Sequence, residues 1–266
     1  MKKVLTFILK TLVFIFLTAL TQVGGFIYLL SISLSRKLRI TSTPFKITLF
    51  ISLYAITTFA IVPAIAPQFG REKIRHTKFV KPTNYITVVL NRNYVRPDIN
   101  LVLKSVENEL IGTGIQLNYL DANFPFFNGF PLLPHLSHND GRKLDLSLVY
   151  ETPDDKISVK QKSRSGYGVF ETPKSGEQNQ AERCITSGYF QYSYPKYLTF
   201  GTLNDELHFS EKGTKRLAES ILKQPQLEKL FIEPHLKSRL KLKNEKVRFH
   251  GCVAVRHDDH IHLQVK

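Results

Sequence analysis

A chain of 266 residues has room for one large domain or for an ordinary domain with an appended segment. With 42% hydrophobic and 22% charged residues it is not a disordered polyelectrolyte. The net charge of +15 is concentrated: residues 1–82 hold 12 of the 37 Lys and Arg but one of the 22 acids, so that stretch carries +11 and residues 83–266 only +4. This distribution argues against a nucleic-acid partner for the folded part, because the basic residues bracket the most apolar stretch instead of lining a face.

Thr11–Leu34 is 24 residues without a charge, and Ile47–Ala66 a further 20. About 20 helical residues cross a bilayer core, so residues 1–70 are expected to be a membrane anchor with two helices in contact with lipid, at about 11–34 and 47–66. The first run is too long for the apolar part of a secretory signal. Four positive charges follow it (Arg36, Lys37, Arg39, Lys46) against three before it (Lys2, Lys3, Lys10). Positive-inside logic applied to this first helix puts both termini outside the membrane, whereas the five positives from Arg71 to Lys81 weigh the other way. Residues 71–84 read as a basic linker.

From residue 85 to 266 the patterns change to those of a folded domain. Tyr85–Leu90 reads as a short strand. Pro97 at a first helical position, the apolar spacing of Ile99, Leu101, Leu103, Val106 and Leu110, and Gly112 as a stop predict a helix. Ile115–Leu120 and Lys143–Tyr150 read as strands. The polar stretch from Glu151 to Glu182 is too long for an idle connection and is either a mobile loop over a site or an excursion with a hairpin. Ser210 can cap a helix reaching about Leu222, Leu230–Ile232 is a short strand, Pro234–Leu240 a helical turn or two, and Val247–Val255 and His260–Val265 are terminal strands. The expected fold is α+β, a small antiparallel sheet flanked by helices.

Five of the nine histidines fall in two segments, Pro134-His135-Leu136-Ser137-His138-Asn139-Asp140-Gly141-Arg142-Lys143-Leu144-Asp145-Leu146 and Arg256-His257-Asp258-Asp259-His260-Ile261-His262-Leu263. His260 and His262 are two apart on a predicted strand and share a face. Asp145 alternates with Leu144 and Leu146, which point to a core, and His138 precedes it by seven residues. Two imidazoles and one carboxylate leave one position open for water, the ligand set of a catalytic zinc. Cys184 and Cys252 are too few for a cysteine-based zinc site; they form one disulfide, which would place the domain outside the cytoplasm, or remain two buried thiols.

His-x-x-His-x-x-Gly-x-x-x-Asp followed by His-Asp-Asp-His-x-His resembles the penicillin-insensitive murein endopeptidases. These belong to the wider zinc-peptidase group that includes D-alanyl-D-alanine carboxypeptidases and dipeptidases and the Hedgehog amino-terminal domain. Leu227–Lys237 is similar to the strand-Pro-helix stretch such enzymes carry before the second cluster, and the likeness covers roughly residues 115–150 and 215–264. Asn123–Phe130 departs from the basic, Gly-rich approach usual before the first cluster. The resemblance implies one zinc per chain on His138, Asp145 and His262, with His257 as general base and His260 orienting water or stabilising an oxyanion. His135 and Ser137 would lie on the substrate side, and Asp258 and Asp259 would support the imidazoles. It further implies an enzyme of the inner membrane, its domain facing the periplasm or cell exterior, that hydrolyses an amide of a peptidoglycan peptide next to a D-amino acid. An inactive zinc-binding interaction module of the same fold, or a peptidase for a non-murein peptide, are the alternatives.

Overall fold

In the computed structural model, which describes residues 1–266, the apolar stretches are helical, but the first does not form one span. Helix α1 runs Lys2–Thr21 and α2 runs Gly24–Lys37, separated by Gln22 in the left-handed region at φ 67°. The single helix expected over 11–34 is thus a helical hairpin, and its cause is local. The Gly24 N–H donates to Thr21 Oγ1 at 2.7 Å. A Cβ on Gly25 would stand 2.0 Å from Thr18 Oγ1, so only glycine lets α2 start against the last turn of α1. Helix α3, Thr43–Ile56, continues through a π turn at Thr57–Ile61 and a final 3₁₀ turn, Ala66–Phe69. Lys2–Thr21 (20 residues) and Thr43–Phe69 (27 residues) are the two helices long and apolar enough to cross a membrane. Helix α2, with 14 residues, is too short.

The chain divides into two units. The first comprises Met1–Lys73, Ile86–Arg96 and Asn123–Gly141. Within it, Glu72–Lys73 pairs antiparallel with Tyr94–Val95. Ile86–Val89 is one helical turn rather than the expected strand; Ile86 and Val89 are exposed, so no sheet face was there to bury them. The buried Arg71 guanidinium holds the 123–141 segment, donating from Nη1 to the Phe124 carbonyl and from Nη2 to Asn128 Oδ1 at 2.6 Å and the Asn139 carbonyl at 3.2 Å.

The second unit comprises Ile74–Tyr85, Pro97–Ala122 and Arg142–Lys266. Its six-stranded sheet uses β1 (Val80–Pro82), β2 (Leu117–Tyr119), β3 (Lys143–Ser147), β4 (Leu227–Phe231), β5 (Val247–Arg248) and β6 (His260–Val265), in the order β5-β4-β6-β3-β2-β1. The sheet is mixed, not purely antiparallel: β4–β5 and β1–β2 are parallel, and the pairs around β6 antiparallel. Alternation sorts its residues. Leu144, Leu146, Ile261, Leu263 and Val265 are buried apolar residues, and Asp145, His260 and His262 project from the opposite side. Helix α4 (Pro97–Leu110) buries a stripe of Ile99, Val102, Leu103, Val106 and Leu110, whereas Leu101, two residues on from Ile99 and so off that face, is exposed. Further along are α5 (Gln180–Thr186), α6 (Glu211–Leu222) and α7 (Pro234–Arg239). Ser210 caps α6, its Oγ accepting from the Gly213 N–H at 3.1 Å.

The strand expected over Val247–Val255 stops at Arg248, because the chain turns at Gly251 and Cys252 is drawn to Cys184 in a disulfide. The long polar stretch is an excursion with a hairpin: Tyr150–Glu151 pairs with Ile157–Ser158 and also with His208–Phe209. The mixed α+β class is that expected, its sheet built differently.

Candidate metal centre

The site starts from strand register. Strands β3 and β6 pair antiparallel with His262 opposite Asp145 and His260 opposite Ser147. Residues opposite one another on one sheet face sit side by side. His262 Nδ1 consequently lies 2.8 Å from Asp145 Oδ1, and His260 Nε2 lies 3.7 Å from the same oxygen. His257 enters from the loop before β6, its ring 4.8 Å from that of His260 and 5.6 Å from that of His262. One ring nitrogen from each of His257, His260 and His262 falls within 4.8 Å of the others, and all three side chains are buried. These residues could hold a metal ion.

Around this cluster lies a shell of partners that aim it. Tyr167 Oη donates to Asp145 Oδ2 at 2.7 Å and itself accepts from the Asp121 N–H at 3.2 Å. His260 Nδ1 donates to Asp259 Oδ1 at 2.5 Å, orienting the ring so that Nε2 faces Asp145, while the Gly168 N–H donates to Asp259 Oδ2 at 2.6 Å. Gly168 is at φ +83°, and a Cβ there would meet the Pro195 carbonyl at 2.3 Å. The 159–179 stretch is therefore a strap stitched to the site. It is fastened further by the Glu171 N–H on the Asp258 carbonyl at 2.7 Å and by Arg239 Nη1 on Glu171 Oε1 at 2.7 Å.

A second layer supports His257. Glu233 Oε1 accepts from the His257 N–H at 2.9 Å and from Tyr192 Oη at 2.5 Å. Asp258 takes a two-pronged interaction from Arg256 Nε and Nη2, and the guanidinium carbon sits 3.9 Å over the Phe170 ring. Cys184, buried with Ala181 and Tyr192, links this region by its bond to Cys252.

Electrostatics separates the histidines. Burial, then the neighbouring His260, His262 and His250, hold the His257 imidazolium well below the usual histidine range, so that ring is neutral at neutral pH. Burial also opposes charge on His260, but Asp145 and Asp259 outweigh it and push that ring up to about 9. Burial, with Asp258 adding to it, raises the Glu233 carboxyl to about 7. Burial likewise raises Asp258 against the pull of Arg256.

No protein-family model and no curated protein matches this chain.

Of the residues singled out from sequence, the structure brings Asp145, His257, His260 and His262 together and sets Asp259 on His260. Asp258 faces Arg256, with His235 Nε2 3.9 Å away, instead of the histidine cluster. His135, Ser137 and His138 lie in the first unit, on the segment that Arg71 holds; there the His138 N–H donates to the His135 carbonyl at 2.9 Å and the two rings are 5.5 Å apart. Four residues that sequence reasoning missed also contribute: His250, whose ring stacks on His257 at 5.4 Å and 13°, Tyr167, Glu233 and Arg256. Only the position of Arg256, directly before the second cluster, carried any signal.

Proposed function

We propose that this chain is a membrane-anchored zinc peptidase that hydrolyses an amide in a cell-wall peptide. The observation that carries the reading is the buried pairing of Asp145 with His262, beside His260 and His257, across β3 and β6. The donor set fits zinc: imidazole nitrogen and carboxylate oxygen are its usual ligands, and donors about 2 Å from one ion lie about 3 Å apart, close to the 2.8 Å between His262 and Asp145. His262 and Asp145 are two ligands, and His138, placed by its spacing to Asp145 in the sequence, is the third. Zinc bound there supplies Lewis acidity, which acidifies a water and polarises an amide carbonyl.

The rest of the work belongs to the side chains. His257, kept neutral by its surroundings, accepts the proton of the attacking water at a ring nitrogen and returns it to the leaving amine. His260, oriented by Asp259, presents Nε2 to charge developing on the carbonyl oxygen. The resemblance of the two histidine segments to murein endopeptidases supports peptidoglycan as substrate. The two apolar helices and the Cys184–Cys252 disulfide support a domain tethered outside the cytoplasm.

A second ligand set shares the site. The mutual closeness of His257, His260 and His262 also suits an ion on those three rings, with His257 a ligand and not the base. One experiment separates the two: metal content and peptidoglycan digestion of the full chain carrying His257→Ala. Retained zinc with a rate lower by about 10²–10⁴ marks a base; lost zinc marks a ligand. Undiminished digestion would refute both roles, and the absence of any released peptide from the unaltered zinc-loaded chain would refute the substrate.

A further inference from the structure

Helices α1, α2 and α3 of the first unit line a half-open cavity of about 510 Å³, a size typical of small-ligand sites, roughly 300–1,000 Å³. Each helix gives it one face. Val13 and Leu17 project from α1, Ile32 from α2, and Ile47 and Phe50 from α3. The walls are therefore mostly apolar, with Tyr28, Ser31 and Ser35 of α2 as their uncharged polar members. Three cations join them: Lys10 on α1, Arg36 in the last turn of α2 and Lys46 in the first turn of α3. The hairpin at Gln22 explains how Lys10 and Arg36 come to the same level. Lys10 lies roughly 16 Å along α1 from Thr21, and Arg36 roughly 18 Å along α2 from Gly24, at 1.5 Å per residue.

No acid occurs in the first 71 residues, so no carboxylate on these helices balances the three charges. Lys46 Nζ donates to an uncharged acceptor, the Thr41 carbonyl, at 3.0 Å. A lysine on an otherwise apolar, membrane-length helix is costly unless it meets a counter-charge, which makes it a mark of function. Apolar walls with cations gathered beside them match an amphiphile whose charged end is negative. A free inorganic anion would leave the walls unfilled, and a zwitterionic headgroup would leave the net charge of the three cations uncompensated. We infer that this cavity binds one anionic diacyl phospholipid, its phosphate between Lys10, Arg36 and Lys46 and an acyl chain along Val13, Leu17 and Phe50. The inference stands independently of the peptidase reading.

The test uses the full chain in phosphatidylcholine nanodiscs doped with phosphatidylglycerol, followed by gentle extraction and native mass spectrometry of the retained lipid. Phosphatidylglycerol should be retained at least about tenfold over phosphatidylcholine. Lys10→Gln, Arg36→Gln and Lys46→Gln should each cut that preference about fivefold. A Lys2→Gln/Lys3→Gln variant, whose lost charges lie away from the cavity, should keep it. Excess inorganic phosphate should not displace the lipid. Circular dichroism confirms that each variant keeps its helices; for one that does not, the lipid preference and phosphate competition of the unaltered chain decide. Equal retention of the two lipids, equal losses in the Lys2/Lys3 variant, or displacement by phosphate would each overturn the assignment.

Discussion

Tyr167→Phe removes one oxygen and tests the site more sharply than deleting a ligand. The lost hydroxyl donates to Asp145 Oδ2 at 2.7 Å and accepts from the Asp121 N–H at 3.2 Å, in a residue 5% exposed. A hydrogen bond to an ionised group contributes about 1.5–3 kcal/mol, and the bare Asp121 N–H adds its own desolvation cost. For a domain of this size that lowers the melting temperature by roughly 3–12 °C. The carboxylate, freed to rotate, should also hold a metal less well: loss of a partner that orients a ligand typically weakens metal affinity about 10–100-fold. Competition with a chromophoric chelator measures the affinity, and calorimetry of the detergent-solubilised chain measures the melt. A lower melting temperature with unchanged affinity would show that Asp145 is not a ligand. No change in either would refute the account of Tyr167 itself.

Replacing both cysteines by serine should destabilise the second unit by about 4 kcal/mol, because the bond closes a loop of sequence separation 68; urea denaturation is the measurement. Arg239 holds the Glu177 carboxyl down at about 2 through a hydrogen bond. That depressed value stabilises the fold above the ordinary carboxylate range and the contribution is lost as pH falls towards 2, so Arg239→Gln should return the Glu177 titration, followed by NMR, to the usual range and flatten the acid limb of stability. Ser210→Ala should cost about 1 kcal/mol by leaving the Gly213 N–H of α6 uncapped, read from the same urea transitions.

The elements that sequence made legible are those whose period is local. The alternation of Leu144, Asp145 and Leu146, and of His260, Ile261 and His262, placed β3 and β6 and put the donors on one face. The Ser210 cap and the stripe of α4 were equally plain. The break at Gln22 was not, since an uncharged run reads as one helix until the close approach of Gly25 to Thr18 is seen. His250 lies outside both histidine segments; its stacking on His257 depends on β5 joining the edge of β4, a pairing of short strands with almost no pattern. Tyr167 and Glu233 reach the site across sequence separations of 22 and 24 residues, through contacts that no periodicity encodes.

Strand β6 lies between β3 and β4, hydrogen-bonded along both edges. A strand so enclosed cannot fray, and its amides should exchange with solvent only when the whole unit opens. The rings of His260 and His262 are therefore denied the small excursions by which a site on a loop breathes. An ion ligated there could leave by its own dissociation or by global unfolding, with nothing in between. Amide exchange along 260–265 and the slowest phase of metal release in denaturant should then report the same event.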